Sequence, residues 1–328
     1  MTLIRDNPDQ FSRLIDASAE RRHLDPGLVE KDYWAVEALR TARIAFDIPI
    51  GSEAVHVQPV FKGGTSLSKA FGLIERFSED IDLLVPLPLD DPTAYSQNQR
   101  TAIMRAVTDA VGAALGIEGE RKAGRRGVDY HWLYPYPAIT AAAVANAVEP
   151  HIVVEVTVMG GQNPQTAREV TSMVGEHAST IIGFPVYDDL SPVPDVPTLG
   201  AERTLIEKLA MVHNSASQAL EGNERRLQGA GRHFYDIAKL LQSPQVRSHL
   251  SAGWTAQIAA DADSWSAKGN FPHTPRPEDG FAASPAFTDA TLAQVVEASY
   301  QAAMTWVWGE RPSLDECVTT VAQHAELL

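Results

Sequence analysis

Phe61-Lys62-Gly63-Gly64-Thr65-Ser66-Leu67-Ser68-Lys69 stands a few residues ahead of Arg76-Phe77-Ser78-Glu79-Asp80-Ile81-Asp82-Leu83. The run Val55 to Phe61 reads as a strand that stops at Gly63-Gly64. Thr65 to Phe71 then reads as a short helix closed by Gly72, and Ile81 to Val85 as an apolar strand stopped by Pro86. Glycines between a strand and a helix let the backbone approach a phosphate closely, and the free N–H groups of the helix start point at the anion. Thr65 and Ser66 can add hydroxyl donors. Asp80 and Asp82 sit at i and i+2 on a strand, so their carboxylates project from one face and can hold Mg2+.

Each feature alone is ordinary. The chain has 42 acidic residues, and Asp261-Ala262-Asp263 repeats the acid-x-acid pattern in what reads as a helical loop. Gly-Gly after a strand is common in turns. Strand, Gly-Gly, hydroxyl pair, short helix and paired-aspartate strand in immediate succession, however, make one compact phosphate-and-metal site. A third carboxylate would complete it, and Glu155 is the candidate. It lies mid-strand in the alternating, β-branched run His151 to Met159, with Val153 and Thr157 on its side and Ile152, Val154, Val156 and Val158 on the other. The pattern fits a solvent-facing glutamate on a half-exposed sheet equally well.

Outward from this core, the first fifty residues read as two helices separated by Pro26-Gly27. Arg100 to Leu115 is a helix ending at Gly116, Ala138 to Val148 a short soluble helix, and Thr180 to Val186 a weaker strand, so the sheet has at least four strands. From Leu199 onward the pattern is helical, over Glu202 to His213 and Arg232 to Leu241. Trp265 to Pro285 reads as a long surface loop or mobile flap, and a last helix opens on a Ser313/Glu316 capping box. The expectation is an α+β protein, with a sheet-bearing domain over residues 1–195 and a helical domain over 196–328.

A chain of 328 residues that is 44% hydrophobic can bury a substantial core. One cysteine, Cys317, excludes an internal disulfide framework, and the Met1-Thr2-Leu3-Ile4-Arg5 start lacks the pattern of a secretory signal. With no apolar run long enough to span a bilayer, no membrane partner and a cytoplasmic location are expected. A net charge of -15 argues against a surface that grips nucleic acid everywhere. Contacts of that kind must be local, at Arg121, Lys122, Arg125 and Arg126 or at Arg225, Arg226, Arg232 and His233.

The two quoted runs resemble the AbiEii/AbiGii toxin family of the DNA polymerase β-like nucleotidyltransferase superfamily, and are similar to the MenT-type toxins of mycobacteria. The likeness continues in Glu30-Lys31-Asp32-Tyr33-Trp34, similar to an N-terminal helix signature, in Glu207-Lys208-Leu209-Ala210, similar to the third motif, and in Arg232-His233-Phe234-Tyr235-Asp236-Ile237, similar to the fourth. It therefore runs from about Glu30 to Leu241. It implies a polymerase β-like mixed sheet with flanking helices, then a helical domain, in a Mg2+-dependent nucleotidyltransferase that acts as the toxin of a toxin–antitoxin or phage-defence system. Some relatives add nucleotides to the 3′ end of tRNA and so stop translation. The expected partners are an NTP, a tRNA acceptor and a cognate antitoxin protein. Asp80 and Asp82 would bind the metal. Gly63, Gly64, Thr65 and Ser66, with Lys62, Lys69 and Arg76 of the same motifs, would bind the nucleotide. Lys208 and Asp236 would complete the catalytic set from the helical domain. Tyr33 and Trp34 read as packing and interface residues.

Two other readings compete: transfer of the nucleotide to a protein or small-molecule hydroxyl, and a non-catalytic binding protein of the same fold. Ser78, two residues before Asp80, is a candidate for regulatory phosphorylation, since added negative charge there would compete with the metal carboxylates.

Overall fold

The computed structural model describes residues 2–78, 80–88, 91–140, 148–182 and 187–328. The chain divides into two compact units. The first comprises Met1–Ala70, Ser78–Val158 and Gln165–Thr198, the second Phe71–Phe77, Met159–Pro164 and Leu199–Leu328.

Among the described residues the first unit carries nine strands: β1 (Phe46–Ile50), β2 (Glu53–Val57), β3 (Val60–Lys62), β4 (Asp80–Leu84), β5 (Glu120–Ala123), β6 (Asp129–Pro135), β7 (His151–Thr157), β8 (Gln165–Val170) and β9 (Val193–Leu199). β1 and β2 form a separate antiparallel hairpin, and the other seven form one mixed sheet in the order β5-β6-β7-β4-β3-β9-β8. β4 runs parallel to β7 and antiparallel to β3, and β6 is antiparallel to β7. Period-2 alternation gives the central strands two faces. Ile81, Leu83, Val154, Val156 and Tyr134 point to one face and are buried.

Helices α1 (Pro8–Arg22), α2 (Pro26–Ala42), α3 (Gly63–Lys69), α4 (Gln97–Leu115) and α5 (Met173–Ile182) complete this unit. α4 covers the apolar face, where Tyr134 of β6 donates its hydroxyl to the Thr108 backbone carbonyl at 2.6 Å. α2 covers it too, with Trp34 stacked on Tyr136 at 5.5 Å. α4 starts on a Ser96/Gln99 capping box and ends at Gly116 in the left-handed region, as its sequence predicts.

The second unit is helical: α6 (Ala201–Leu220), α7 (Arg225–Gln228), α8 (Gly231–Gln242), α9 (Pro244–Arg247), α10 (Ala252–Lys268), α11 (Pro285–Thr288), α12 (Ala290–Met304) and α13 (Leu314–Gln323). α8 packs against α6, α12 and α13. The last helix has the expected capping box, Glu316 receiving the Ser313 backbone N–H at 2.6 Å.

Several expectations change. The strand over Val55 to Phe61 is two strands, β2 and β3, parted at Gln58-Pro59 because proline donates no ladder hydrogen bond. Thr180 to Ile182 close helix α5 instead of opening a strand: Val174 and Ala178 supply a helical apolar stripe that outweighs the β-branched residues. The remainder of that expected strand, 183–186, lies outside the described residues, as do 141–147 of the helix expected over Ala138 to Val148. Ala138 to Thr140 are non-helical. Asp261 to Asp263 lie within α10.

Trp265 to Lys268 also belong to α10, and the loop that follows is tied by hydrogen bonds to α6 and to the last residue. His213 bonds the Ser284 hydroxyl at 2.8 Å and the Pro275 carbonyl at 3.1 Å, Asn214 donates to the Pro272 carbonyl at 2.9 Å, and Arg276 donates to the Leu328 carbonyl at 2.7 Å.

Candidate active site

Register builds a polar row across four strands of the first unit. Lys62 on β3 lies opposite Asp82 on β4, Asp82 beside Glu155 on β7, and Glu155 opposite His131 on β6. Paired residues share a face, so these four side chains rise from the side opposite the apolar core. Asp80 stands two residues from Asp82 on the same face. Asp80, Asp82, Glu155 and His131 are all half-buried. His131 Nδ1 is 3.0 Å from Glu155 Oε1, and this hydrogen bond raises the imidazole pKa against the opposing effect of burial, with help from the carboxylates of Glu155, Asp129 and Asp80.

Local sequence explains how the aspartates are held. Gly63 has φ of +76°, and a Cβ placed on it would lie 2.0 Å from Asp82 Oδ2, so only glycine lets the turn pass so close to that carboxylate. Thr65 donates its hydroxyl to the Asp80 carbonyl at 2.5 Å, fastening α3 to the start of β4. Ser66 is fully buried and donates back to the Gly63 carbonyl at 2.9 Å. Gly64 is buried in the first turn of α3, and Ser78, half-buried, precedes β4.

Lys69 reaches into the N-terminal helix signature. Its ammonium is 2.8 Å from Asp32, whose other oxygen accepts the Met173 backbone N–H at 2.6 Å. Glu30, fully buried, accepts the backbone N–H groups of Ile139 at 2.9 Å and Thr140 at 3.1 Å. Tyr33 donates to Asp189 at 2.5 Å. The signature is thus a packing device whose buried polar groups lock α2 to α3, α5 and the 139–140 backbone.

Arg76, Lys208 and Asp236 lie together in the second unit. Arg76 grips Asp236 with two guanidinium hydrogen bonds of 2.7 Å each, and Lys208 Nζ is 2.8 Å from the same carboxylate and 3.4 Å from His233 Nδ1. All four side chains are buried, Asp236 completely. Burial alone would raise the Asp236 carboxyl, but Arg76 and Lys208 together hold it well below the usual carboxylate range. Burial pushes Lys208 down against the pull of Asp236, and burial with Lys208 pushes His233 far below its ordinary value, so the imidazole stays neutral and accepts from the ammonium. The 71–77 segment is stitched in by Phe77 N–H to the Trp306 carbonyl at 3.0 Å and Trp308 N–H to the Glu75 carbonyl at 2.9 Å.

Among the described residues, no three His, Cys, Asp or Glu side chains already form a metal cage. Mg2+ characteristically takes only one or two carboxylates and completes its shell with phosphate and water oxygens. Asp80 and Asp82 supply such a pair, all-oxygen and half-exposed, beside a turn whose glycine puts no side chain against Asp82. The residues present fit the ion.

His131 was not legible as a site residue from motifs. Its only sequence signal is the alternation of Asp129, His131 and Leu133 with the aromatic Tyr130, Trp132 and Tyr134, which marks β6 as a two-faced strand.

The known class that fits this chain is the nucleotidyltransferase toxins of type IV toxin–antitoxin systems. The sequence model of the nucleotidyl transferase AbiEii toxin family matches residues 50–318, and the chain belongs to that family. Membership makes it a toxin and a transferase, with an NTP as substrate and an antitoxin as partner. Among solved structures it is similar to MenT4, a nucleotidyltransferase toxin from Mycobacterium tuberculosis H37Rv, at 16% identity over 94% of this chain and 98% of that chain, with a TM-score of 0.43. No curated protein matches the chain. Among the described residues no helix is long and apolar enough to cross a membrane.

Proposed function

We propose that this toxin transfers a nucleoside monophosphate from an NTP to the 3′ end of tRNA, in the cytoplasm, and so blocks translation. The observation that carries the reading is the row in which Asp82 stands between Lys62 and Glu155, with Asp80 on the same face. The acceptor hydroxyl oxygen bonds to the α-phosphorus as the bond from that phosphorus to the bridging oxygen breaks, pyrophosphate leaves, and the hydroxyl proton passes to solvent. Bound Mg2+ supplies charge neutralisation on the phosphates during this displacement. Asp80 and Asp82 hold it, Lys62 contributes a positive charge beside the triphosphate, and the glycine turn at Gly63 and Gly64 leaves the backbone free to approach it.

A polyanionic acceptor suits the neighbouring hairpin. Arg121, Lys122, Arg125 and Arg126 are exposed on β5 and its turn, and the hairpin continues the sheet outward from Glu155 through His131. These cations give a chain of net charge -15 a local place to meet phosphate.

The deciding experiment incubates purified protein with total tRNA, Mg2+ and each radiolabelled NTP in turn, beside Asp80→Ala. Label on tRNA that vanishes in the variant is expected. An unlabelled tRNA pool would direct the transfer to a protein or small-molecule hydroxyl, and toxicity unchanged in Asp80→Ala would indicate binding without turnover. Ser78→Glu is expected to reduce transfer, because its charge lies next to the metal carboxylates.

For Lys208 and Asp236 we keep a role in transfer. Lys208→Met keeps an unbranched side chain one atom shorter and leaves Asp236 its Arg76 partner, so transfer should be lost while Tm stays near native. A Tm fall parallel to the lost activity would assign the Arg76–Asp236–Lys208 cluster to stability alone.

A further inference from the structure

We infer that His131 is a positioning residue that fixes the Glu155 carboxylate beside Asp82. The inference rests on the reading of Asp80 and Asp82 as the metal-holding pair.

Glu155 has a long side chain on a half-exposed sheet face, and nothing in its own strand restrains its carboxylate. The neighbours along β7 on that face are Val153 and Thr157, and Thr157 turns its hydroxyl away to the Val128 carbonyl at 3.0 Å. Across the sheet, His131 stands directly opposite and its Nδ1 meets Glu155 Oε1 at 3.0 Å. The other edge of the ring faces a second carboxylate, with Nε2 3.9 Å from Asp129 Oδ1.

Asp129 is itself held: it accepts the Arg125 backbone N–H at 2.6 Å and pairs with the Arg125 guanidinium at 3.1 Å. The imidazole therefore lies between two acids, one anchored by the β5–β6 turn and one standing beside Asp82 in the sheet register. Of the two oxygens of Glu155, Oε1 is the one engaged by His131, and the register sets the residue itself beside Asp82. Hydrogen bonds of this kind to a carboxylate that helps to hold an ion orient it, and their loss characteristically weakens metal affinity about 10–100-fold.

The test is Mn2+ binding to the full-length protein, measured by titration calorimetry with Tm recorded in parallel, for the wild type, Asp82→Ala, His131→Ala, His131→Gln, Glu155→Ala and the double variant His131→Ala/Glu155→Ala. His131→Ala should weaken Mn2+ binding about tenfold or more at an unchanged Tm. His131→Gln, which retains an N–H donor, should recover part of the loss. The double variant should bind no more weakly than Glu155→Ala, because His131 acts only through that carboxylate. Wild-type affinity in His131→Ala, or a further equal loss on adding it to Glu155→Ala, would overturn the inference. Mn2+ binding unchanged in Asp82→Ala would overturn the metal-site reading itself and this inference with it.

Discussion

At Gly63 the site tolerates no side chain. A methyl group there would lie 2.0 Å from the Asp82 carboxylate oxygen, and the backbone is held at φ of +76°. Left-handed backbone costs an L-residue about 1–2 kcal/mol before any clash is counted. Because the atom that would be struck belongs to the flexible end of Asp82, the fold can yield by moving that carboxylate. Gly63→Ala should accordingly keep a folded protein and lose transfer about 100-fold, the scale of a displacement of roughly 1 Å at a reacting centre. Steady-state kinetics beside a melting curve would check it, and full activity in the variant would show that Asp82 is free to move without consequence. The glycine was legible in the sequence as a turn. Its second function, sparing room for a carboxylate nineteen positions later, was not, since proximity across a turn depends on how β3 and β4 register.

Among the elements, α2 shows how a conspicuous motif can consist of buried packing groups. Glu30, Lys31 and Asp32 are all buried, an arrangement that only hydrogen bonds and ion pairs make tolerable. Asp32 serves two elements at once, pairing with Lys69 of α3 and accepting from Met173 of α5. Asp32→Ala should cost about 3–5 kcal/mol, the range for leaving one partner of a buried pair alone, and urea denaturation would measure it. A loss under 1 kcal/mol would mean that the pair contributes little.

The strands divide along similar lines. β7 was readable because its β-branched residues alternate, whereas β9 contains Pro194 and Pro197, β5 is wholly exposed and mostly charged, and β3 is three residues long. Such strands are held by their neighbours in the sheet, and a local reading of propensity has nothing to detect. The helices α4, α6, α8 and α13 carry their own apolar stripes, with capping boxes on α4 and α13, and were visible for that reason.

Across the whole molecule, buried histidines set an acid limit. Burial holds His177, His213 and His233 below the ordinary imidazole value, so the native state binds fewer protons than the unfolded chain as pH falls. The stability they contribute is fully present above the unfolded pKa near 6.5 and is lost as pH drops below it toward the folded values. His131, raised by Glu155, acts in the opposite sense and loses its contribution as pH rises through its folded pKa. Three depressed groups against one elevated group predict that unfolding free energy falls between about pH 6.5 and pH 5. Denaturant melts at both pH values, with His213→Gln as the comparison, would check the direction. A flat profile would contradict it. His213 is the informative position because it ties α6 to the strap at Pro275 and Ser284, and protonation at Nδ1 removes the acceptor that the Ser284 hydroxyl uses.

What the sequence determined by itself was local: the glycine turn, the paired aspartates of one strand, the α+β order of elements and the family they resemble, because turn chemistry and periodicity are properties of contiguous residues. What only the tertiary structure decided was the company those residues keep. Register set Glu155 beside Asp82 and His131 beside Glu155. The folding of the second unit delivered Arg76 to Asp236, a partner 160 positions away. Contacts of that separation are chosen by how whole elements bury their apolar faces, and the charged groups carried on them are then placed, paired or left open as a consequence.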